Sequence, residues 1–208
     1  MSSSPTTLIL ISIGAGLLPF LMVMLTSFVK IAVVLSIVRS AIGTPQIPPN
    51  SVVTGLSLVL SLVVMAPVLS EVGQRLEAEE PALVSGAPGQ MIQAIGIAFE
   101  PVEAFLRRHT RPEHLRAFAS FEPDGGQQTS WRALVPAFLV GQLNDAFRMG
   151  FAIFLPFLVL DMLVSSVLLS LGMHMLSPAT ISLPLKLLLF AAADGWTLIA
   201  QSLLGQYL

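Results

Sequence analysis

Hydrophobic residues along this chain of 208 residues are gathered into four long segments that polar connections separate. Each segment contains at least about 20 mostly apolar residues, which is the length that an α-helix needs to cross a lipid bilayer. The pattern therefore predicts four long apolar helices, at residues 8–38, 52–73, 150–172 and 181–204.

Short connections rich in glycine and proline join these segments in pairs. Residues 39–51 contain four such residues and cannot continue a helix, and Gly172 and Pro178 bracket the connection between the last two segments. The sequence therefore predicts two helical hairpins. We also expect the first segment to be kinked or divided, because three helix-breaking residues interrupt it: Gly14, Gly16 and Pro19.

The residues between the two hairpins have a different composition. Residues 74–149 hold 16 of the 22 charged residues, so we expect a water-facing insert there. The predicted division is thus an N-terminal hairpin at 1–73, the insert, and a C-terminal hairpin at 150–208. Within the insert, apolar residues at helical spacing predict an amphipathic helix. These residues are Met91, Ile92, Ile95, Phe99, Val102, Phe105 and Leu106.

Prolines and turn residues refine the prediction for this insert. Pro101 should kink or restart the amphipathic helix. Pro112 suits the first turn of a short helix that extends to Phe121. Residues 122–130 have the composition of an exposed loop, and residues 131–150 predict a helix that continues into the third apolar segment.

The composition indicates a membrane protein. Hydrophobic residues make up 54% of the chain and charged residues 11%, whereas soluble domains contain about 25% charged residues. Lipid or a very large apolar interface must therefore surround much of the chain. The predicted fold is an all-α membrane protein with two long helical hairpins and a mostly helical, water-facing insert.

Charge and motifs narrow the function classes further. The formal net charge is -2 and no block of like charge is present, so a nucleic-acid partner has no electrostatic basis. The absence of cysteine excludes disulfides, thiolate nucleophiles and cysteine-ligated metals. Because no HExxH, GxSxG or phosphate-binding glycine loop occurs, we predict no enzymatic activity, no cofactor and no metal site.

Four charged residues lie inside the apolar segments: Lys30, Asp161, Lys186 and Asp194. A charge at mid-membrane costs about 2.5–3.5 kcal/mol on insertion scales, so such residues pair, face protein or line water. If the last hairpin folds back about residues 176–177, the two aspartates lie at nearly the same height and Lys186 lies at the edge of its reach. Lys30 is then the predicted partner of one aspartate, across hairpins or subunits.

These charges have two interpretations. They couple to the movement of protons or ions, or they pair to fix the register of the helices. Two positive and two negative charges can neutralise one another, which favours the structural interpretation.

Met173, His174 and Met175 form the centre of the last connection. Methionine and histidine are possible metal ligands, but three adjacent residues without a second ligand cluster are a weak signal. Methionine is unbranched and adaptable, so a ring of such side chains could form an apolar constriction. An ordinary hairpin turn is the third interpretation.

Three ordered blocks carry a resemblance to a known family. They are FLMVMLTSFVKIAVVLSIVRSAIGTPQIPPN, FRMGFAIFLPFLVLDMLVSSVLLSLGM and SPATISLPLKLLLFAAADGW. The sequence strongly resembles the FliP/SctR (YscR) family, the core export-apparatus proteins of the flagellum and of type III secretion injectisomes. The resemblance covers residues 20–73 and 133–204, which are the two predicted hairpins.

The resemblance implies a function and a set of partners. Proteins of this family look like the main subunit of an export gate, in which several copies (a pentamer in the family) surround a channel for unfolded secreted polypeptides. The implied partners are S- and T-type proteins (FliQ- and FliR-like) and U- and V-type proteins (FlhB- and FlhA-like). The family's methionine-rich loop acts as a gasket and maps onto Met173, His174 and Met175. His174 departs from the methionine usual there, which suggests pH-dependent closure.

The resemblance also bears on location and on the buried charges. It implies a multi-pass protein of the bacterial inner membrane in contact with lipid. Arg39 in the first connection favours a periplasmic insert, by the positive-inside rule. Apolar helices in the family's gates look packed on one another, which favours Lys30, Asp161, Lys186 and Asp194 as contacts between subunits.

The sequence leaves two alternatives for the function: an injectisome or a flagellum as the system, and an export gate or a transporter as the activity. The N-terminus does not look like the cleavable signal of flagellar members, and the ending DGWTLIAQSLLGQYL looks nearer the injectisome branch, so we favour a virulence-type injectisome. The alternative to an export gate is a secondary transporter of ions or metals that uses the buried aspartates and lysines. Such a transporter should show repeat-related helix bundles, and the sequence shows no such repeat.

Overall fold

The computed structural model describes residues 16, 20, 23–44, 47–81, 88–122 and 130–207. Within these residues the regular secondary structure is α-helical, without strands, so the protein is all-α, as predicted. The helices are α1 (Phe28–Ile42), α2 (Asn50–Ala78), α3 (Pro88–Arg108), α4 (Pro112–Ala119), α5 (Trp131–Ser170), α6 (Pro178–Ala192) and α7 (Gly195–Leu204).

Two of the described helices, α2 and α5, are long and apolar enough to cross a membrane. The pair α6 and α7 makes a third candidate span, but the two helices are bent by 59° at a break. The prediction of one unbroken fourth segment was therefore wrong. The first segment contributes α1, which has only 15 residues, and the predicted interruption near its start lies almost entirely outside the described residues.

Helix α5 runs for 40 residues without a break. Its first half comes from the predicted insert and its second half is the third apolar segment. The prediction that one helix joins the two is therefore confirmed. The short helix α4 is also confirmed, with Pro112 in its first turn.

The chain divides into two compact units: residues 1–29 with 65–141, and residues 30–64 with 142–208. The first contains α3 and α4, with the end of α2 and the start of α5. The second contains α1, α6, α7 and the rest of α2 and α5. The three-part division from the sequence stays a prediction.

Helix α3 buries part of the stripe that the sequence predicted. Val102, Phe105 and Leu106 are buried as predicted, but Ala94 and Ala98 are buried in place of Ile92 and Ile95, which are 72% and 45% exposed. Alanines four residues apart let neighbouring helices approach closely, which leaves the larger isoleucines on the outer face. Pro101 lies inside this helix and does not end it.

The core of the second unit is formed around α1. Its buried residues Ile31, Val34, Leu35 and Val38 recur at helical spacing and form one apolar cluster with residues of α2, α5, α6 and α7. The backbone of α5 comes close to α1 at Gly150, where an added Cβ would lie 2.5 Å from Cδ1 of Ile37.

Candidate functional site in the C-terminal hairpin

The turn of the C-terminal hairpin is set by Gly172. Its φ is 74°, in the left-handed region that glycine adopts without strain. The Gly172 N–H donates to the Leu169 carbonyl and the Met173 N–H to the Leu168 carbonyl, both at 3.0 Å. These two bonds form a Schellman motif, which ends α5 at Ser170.

The loop between the two helices exposes apolar side chains. Met175 is fully exposed, and Met173, Leu171 and Leu176 are 40%, 67% and 42% exposed. His174 is exposed between the two methionines. The tip of this hairpin is therefore apolar and uncovered within the described chain, which is unusual unless another molecule or another copy covers it.

Lys186 forms a half-buried ion pair across this hairpin. Its Nζ lies 2.5 Å from Oδ2 of Asp161, and the Lys186 side chain is only 8% exposed while that of Asp161 is 44% exposed. Ser182, one turn before Lys186, is also buried on this side of α6. The pair fixes the register between α5 and α6.

The Lys186 ammonium makes a further contact that the sequence did not indicate. It donates to the backbone carbonyl of Ala41 at 3.3 Å. Ala41 lies in the last turn of α1, where carbonyls have no partner within the helix. Lys186 therefore caps α1 and pairs with α5 at the same time.

This pairing corrects the prediction that placed Lys186 at the edge of reach and favoured Lys30 for the aspartates. The helices end at Ser170 and begin again at Pro178, so the turn is centred near residue 174 and not at 176–177. That shift places residue 187 opposite Asp161, which brings Lys186 level with it.

Lys30 is buried elsewhere in the second unit. It is 5% exposed, and its Nζ lies 4.9 Å from the ring centroid of Tyr207, a cation–π distance. The Tyr207 hydroxyl donates to Oε1 of Gln142 at 2.5 Å. Tyr207 and Gln142 were missed by the sequence reasoning, although Tyr207 is the single tyrosine of the chain.

Asp194 lies at the break between α6 and α7. Its φ is 48°, in the left-handed region, and its side chain is exposed and makes no cap hydrogen bond. The Trp196 ring packs edge-on against Phe190, with centroids 5.2 Å apart. An added Cβ at Gly195 would lie 2.3 Å from the Phe190 ring, so the bend needs glycine there.

Among the described residues, no group of three or more histidine, aspartate or glutamate side chains could hold a metal ion. His174 in particular has no carboxylate cluster beside it in that part of the chain. The candidate site is thus the exposed apolar loop at the tip of the C-terminal hairpin, whose two helices are held in register by the Lys186–Asp161 pair.

Sequence comparison places this hairpin in a known context. A sequence model of the FliP family matches residues 10–203, which is nearly the whole chain. The chain belongs to the FliP family. Both hairpins and the insert lie inside the matched range, so family membership applies to the site as well as to the rest of the protein.

Relatives of this FliP-family chain have names from two systems. Flagellar biosynthetic protein FliP of Bacillus subtilis is 40% identical over 99% of this chain and 93% of its own length. Virulence protein YscR of Salmonella typhimurium is 41% identical over 100% of this chain and 99% of its own. Yop proteins translocation protein R of Yersinia pestis is 43% identical over 92% of this chain and 91% of its own length. The chain is therefore a component of type III secretion or flagellar export.

Proposed function

We propose that this FliP-family chain is the main subunit of a type III export gate, with the loop of Met173, His174 and Met175 as the seal of its channel. The observation that carries the proposal is the exposed methionine-rich tip on a hairpin that the Lys186–Asp161 pair holds in register. Flexible thioether side chains suit a seal that must close on itself and around varied polypeptides.

The exposed apolar surface supports an assembly of several copies. In α5, only 11% of the most apolar 18-residue window is buried within the chain, compared with 33% in α2. Lipid or other subunits must cover the rest. We propose a homo-oligomer, a pentamer by the resemblance, built with S- and T-type partners and docked to U- and V-type proteins.

We propose the bacterial inner membrane as the location, with the polar insert in the periplasm and unfolded secreted polypeptides as the cargo. The exposed Asp194 then serves assembly, whereas Lys30, Asp161 and Lys186 hold together the helices of a single chain. Relatives named for virulence and for the flagellum are about equally similar, so the proposal of an injectisome depends on the resemblance of residues 194–208 to that branch.

Site-specific cross-linking tests the seal. The chain has no cysteine, so Met175→Cys introduces a single thiol at the tip of the hairpin. A secretion substrate fused to a folded domain stalls in the channel and carries its own engineered cysteine. We expect a disulfide between this substrate and the Met175→Cys chain.

Met162→Cys is the matched control. Met162 is also an exposed methionine, at 63%, but it lies in α5 away from the loop. We expect no substrate cross-link there. A stalled substrate that reacts equally at both positions, or at neither, contradicts the assignment of the loop as the seal.

A further inference from the structure

Two charged residues of the second unit, Arg148 and Asp194, are exposed and have opposite signs. Neither side chain takes part in an ion pair or hydrogen bond within the described residues. The other charged residues of this unit have contacts: Lys186 with Asp161, Arg39 with Asn50, and further contacts for Lys30 and Asp145. Arg148 and Asp194 therefore have opposite charges and no side-chain contact within the part of the chain that the structure describes.

Arg148 lies on an exposed apolar face of α5. Phe151, Leu155 and Val159 follow it by three, seven and eleven residues, so all four share one face of the helix. These three apolar residues are 62%, 44% and 51% exposed. A lone arginine within such a face is expected to meet a carboxylate where the face is covered.

Asp194 is presented by a rigid bend. Its left-handed backbone conformation is uncommon for a residue other than glycine, and the packing of Phe190 against Gly195 and Trp196 holds the bend. Strained conformations held in this way cluster at functional contacts. Next to Asp194, Leu198 is 56% exposed, so this carboxylate also lies beside an uncovered apolar surface.

The two charges lie toward the same end of the hairpin. With the turn centred near residue 174, Asp194 at the end of α6 is level with about residue 154 of α5, which is six residues or about 9 Å from Arg148 along the α5 axis at 1.5 Å per residue. A neighbouring copy displaced along the axis by less than two helical turns would close that offset. The hydrocarbon core of a bilayer would supply no partner for either charge.

We infer that Arg148 of one copy pairs with Asp194 of the next copy, and that this pair fixes the contact between neighbouring chains in the assembly. The inference rests on the proposed homo-oligomeric function. It goes beyond that function in stating that a second copy covers the exposed face of α5, and that Arg148 and Asp194 determine how the two copies bind.

Charge reversal in the full export apparatus tests this pair, in a strain without its own copy of the chain. We expect Arg148→Asp and Asp194→Arg each to reduce secretion of a reporter at least about tenfold, because like charges then meet across the interface. The double variant should recover to within about threefold of the original. Arg116→Asp, the same change in the other unit, is the control and should leave secretion unchanged.

Co-expression separates a pair between copies from a pair within one chain. An Arg148→Asp chain and an Asp194→Arg chain form opposite-charge contacts only with each other. We expect the mixture to secrete more than either variant alone. Rescue by the double variant but not by the mixture places the pair within one chain and overturns the inference. Normal secretion by the single variants, or no rescue by either combination, also overturns it.

Disulfide cross-linking between two copies tests the same contact if the charge-reversal variants do not accumulate in cells as folded protein. One tagged chain carries Phe151→Cys and a second, differently tagged chain carries Leu198→Cys. We expect a mixed disulfide dimer, and none when Met162→Cys replaces Leu198→Cys. Absence of the mixed dimer overturns the inference. Substrate cross-linking at position 175 is a separate measurement, so failure of the seal and failure of this pair are distinguishable.

Discussion

Lys186 donates a hydrogen bond to Asp161 at 2.5 Å across the C-terminal hairpin, with the lysine buried and the aspartate half-exposed. The buried lysine therefore needs the aspartate to neutralise its charge more than the half-exposed aspartate needs the lysine. Removal of the carboxylate leaves an ammonium group buried among apolar helices, whereas removal of the lysine leaves a carboxylate that still has an exposed side.

We predict that Asp161→Leu destabilises the chain more than Lys186→Met. Breaking an exposed ion pair costs about 0–1 kcal/mol and breaking a buried one about 3–5 kcal/mol. The half-exposed aspartate puts this pair between those limits. The double variant should recover most of the loss, because neither charge is then left alone. Thermal unfolding of the purified chain in detergent measures the stability of the two single variants and the double variant. Equal losses of stability for the two single variants would contradict the predicted difference between them.

Gly150 allows α1 and α5 to approach each other. An added Cβ would lie 2.5, 2.9 and 3.0 Å from Cδ1, Cγ2 and Cβ of Ile37, and the Cβ atom cannot move without the backbone. We predict that Gly150→Ala costs about 1–3 kcal/mol by overpacking.

Gly55 provides the control for this change, because it lies in α2 with no atom within 4 Å of an added Cβ. Gly55→Ala should be neutral or stabilising by up to about 1 kcal/mol. Combining Gly150→Ala with Ile37→Ala should relieve the clash. The unfolding midpoints of these three variants test the prediction, and an unchanged midpoint for Gly150→Ala would show that the helices can separate at no cost.

Tyr207 provides a pH-dependent signal. Its burial, with a smaller contribution from the charge of Asp145, raises the pKa of the phenol above its usual value near 10. Because the folded-state pKa is the higher one, its contribution to stability is constant below about pH 10. Above that pH the unfolded state loses the proton first and stability falls.

Since Tyr207 is the single tyrosine, ultraviolet titration of the folded chain reads its ionisation directly. We predict that absorbance of the phenolate develops well above pH 10 and shifts to about pH 10 on unfolding. Tyr207→Phe should remove the alkaline fall in stability. A titration midpoint near 10 in the folded chain would contradict the burial of this ring.

His174 makes the proposed seal more polar than three methionines would. Histidine is the side chain that changes charge most readily in the physiological pH range, and several copies around one channel would bring such side chains together. We predict greater ion leakage at pH 5.5 than at pH 8 in cells that express the full apparatus. The His174→Met variant should show the same low leakage at both pH values. Identical leakage of the original chain and the variant across this range would reject pH-dependent closure.

Long helices were the most predictable part of this protein. The apolar runs and Pro112 indicated α2, α4 and α5 with little error, because helix length, proline position and continuous hydrophobicity are local properties of a sequence. Which side chains meet was less predictable. The partner of Asp161 depends on the centre of the hairpin turn, and a shift of two or three residues changed the expected cation from Lys186 to Lys30.

The bend at Asp194 was missed for a related reason. The residues around it are continuously apolar, which predicts one helix, but a left-handed aspartate followed by glycine ends α6. The signal was the Asp-Gly pair itself, which is typical of turns. On α3, the alanines and not the isoleucines form the buried stripe, because packing depends on the neighbouring helices as well as on hydrophobicity.

The contact between Lys186 and the Ala41 carbonyl has a mechanical consequence. A polypeptide dragged past the loop would pull on the tip of the C-terminal hairpin. Because the same ammonium group binds both α5 and the end of α1, that force would not stop within the hairpin. Part of it would pass through this nitrogen atom to the N-terminal hairpin, in addition to the apolar contacts of α1, so the two hairpins would bear the load of a moving substrate together.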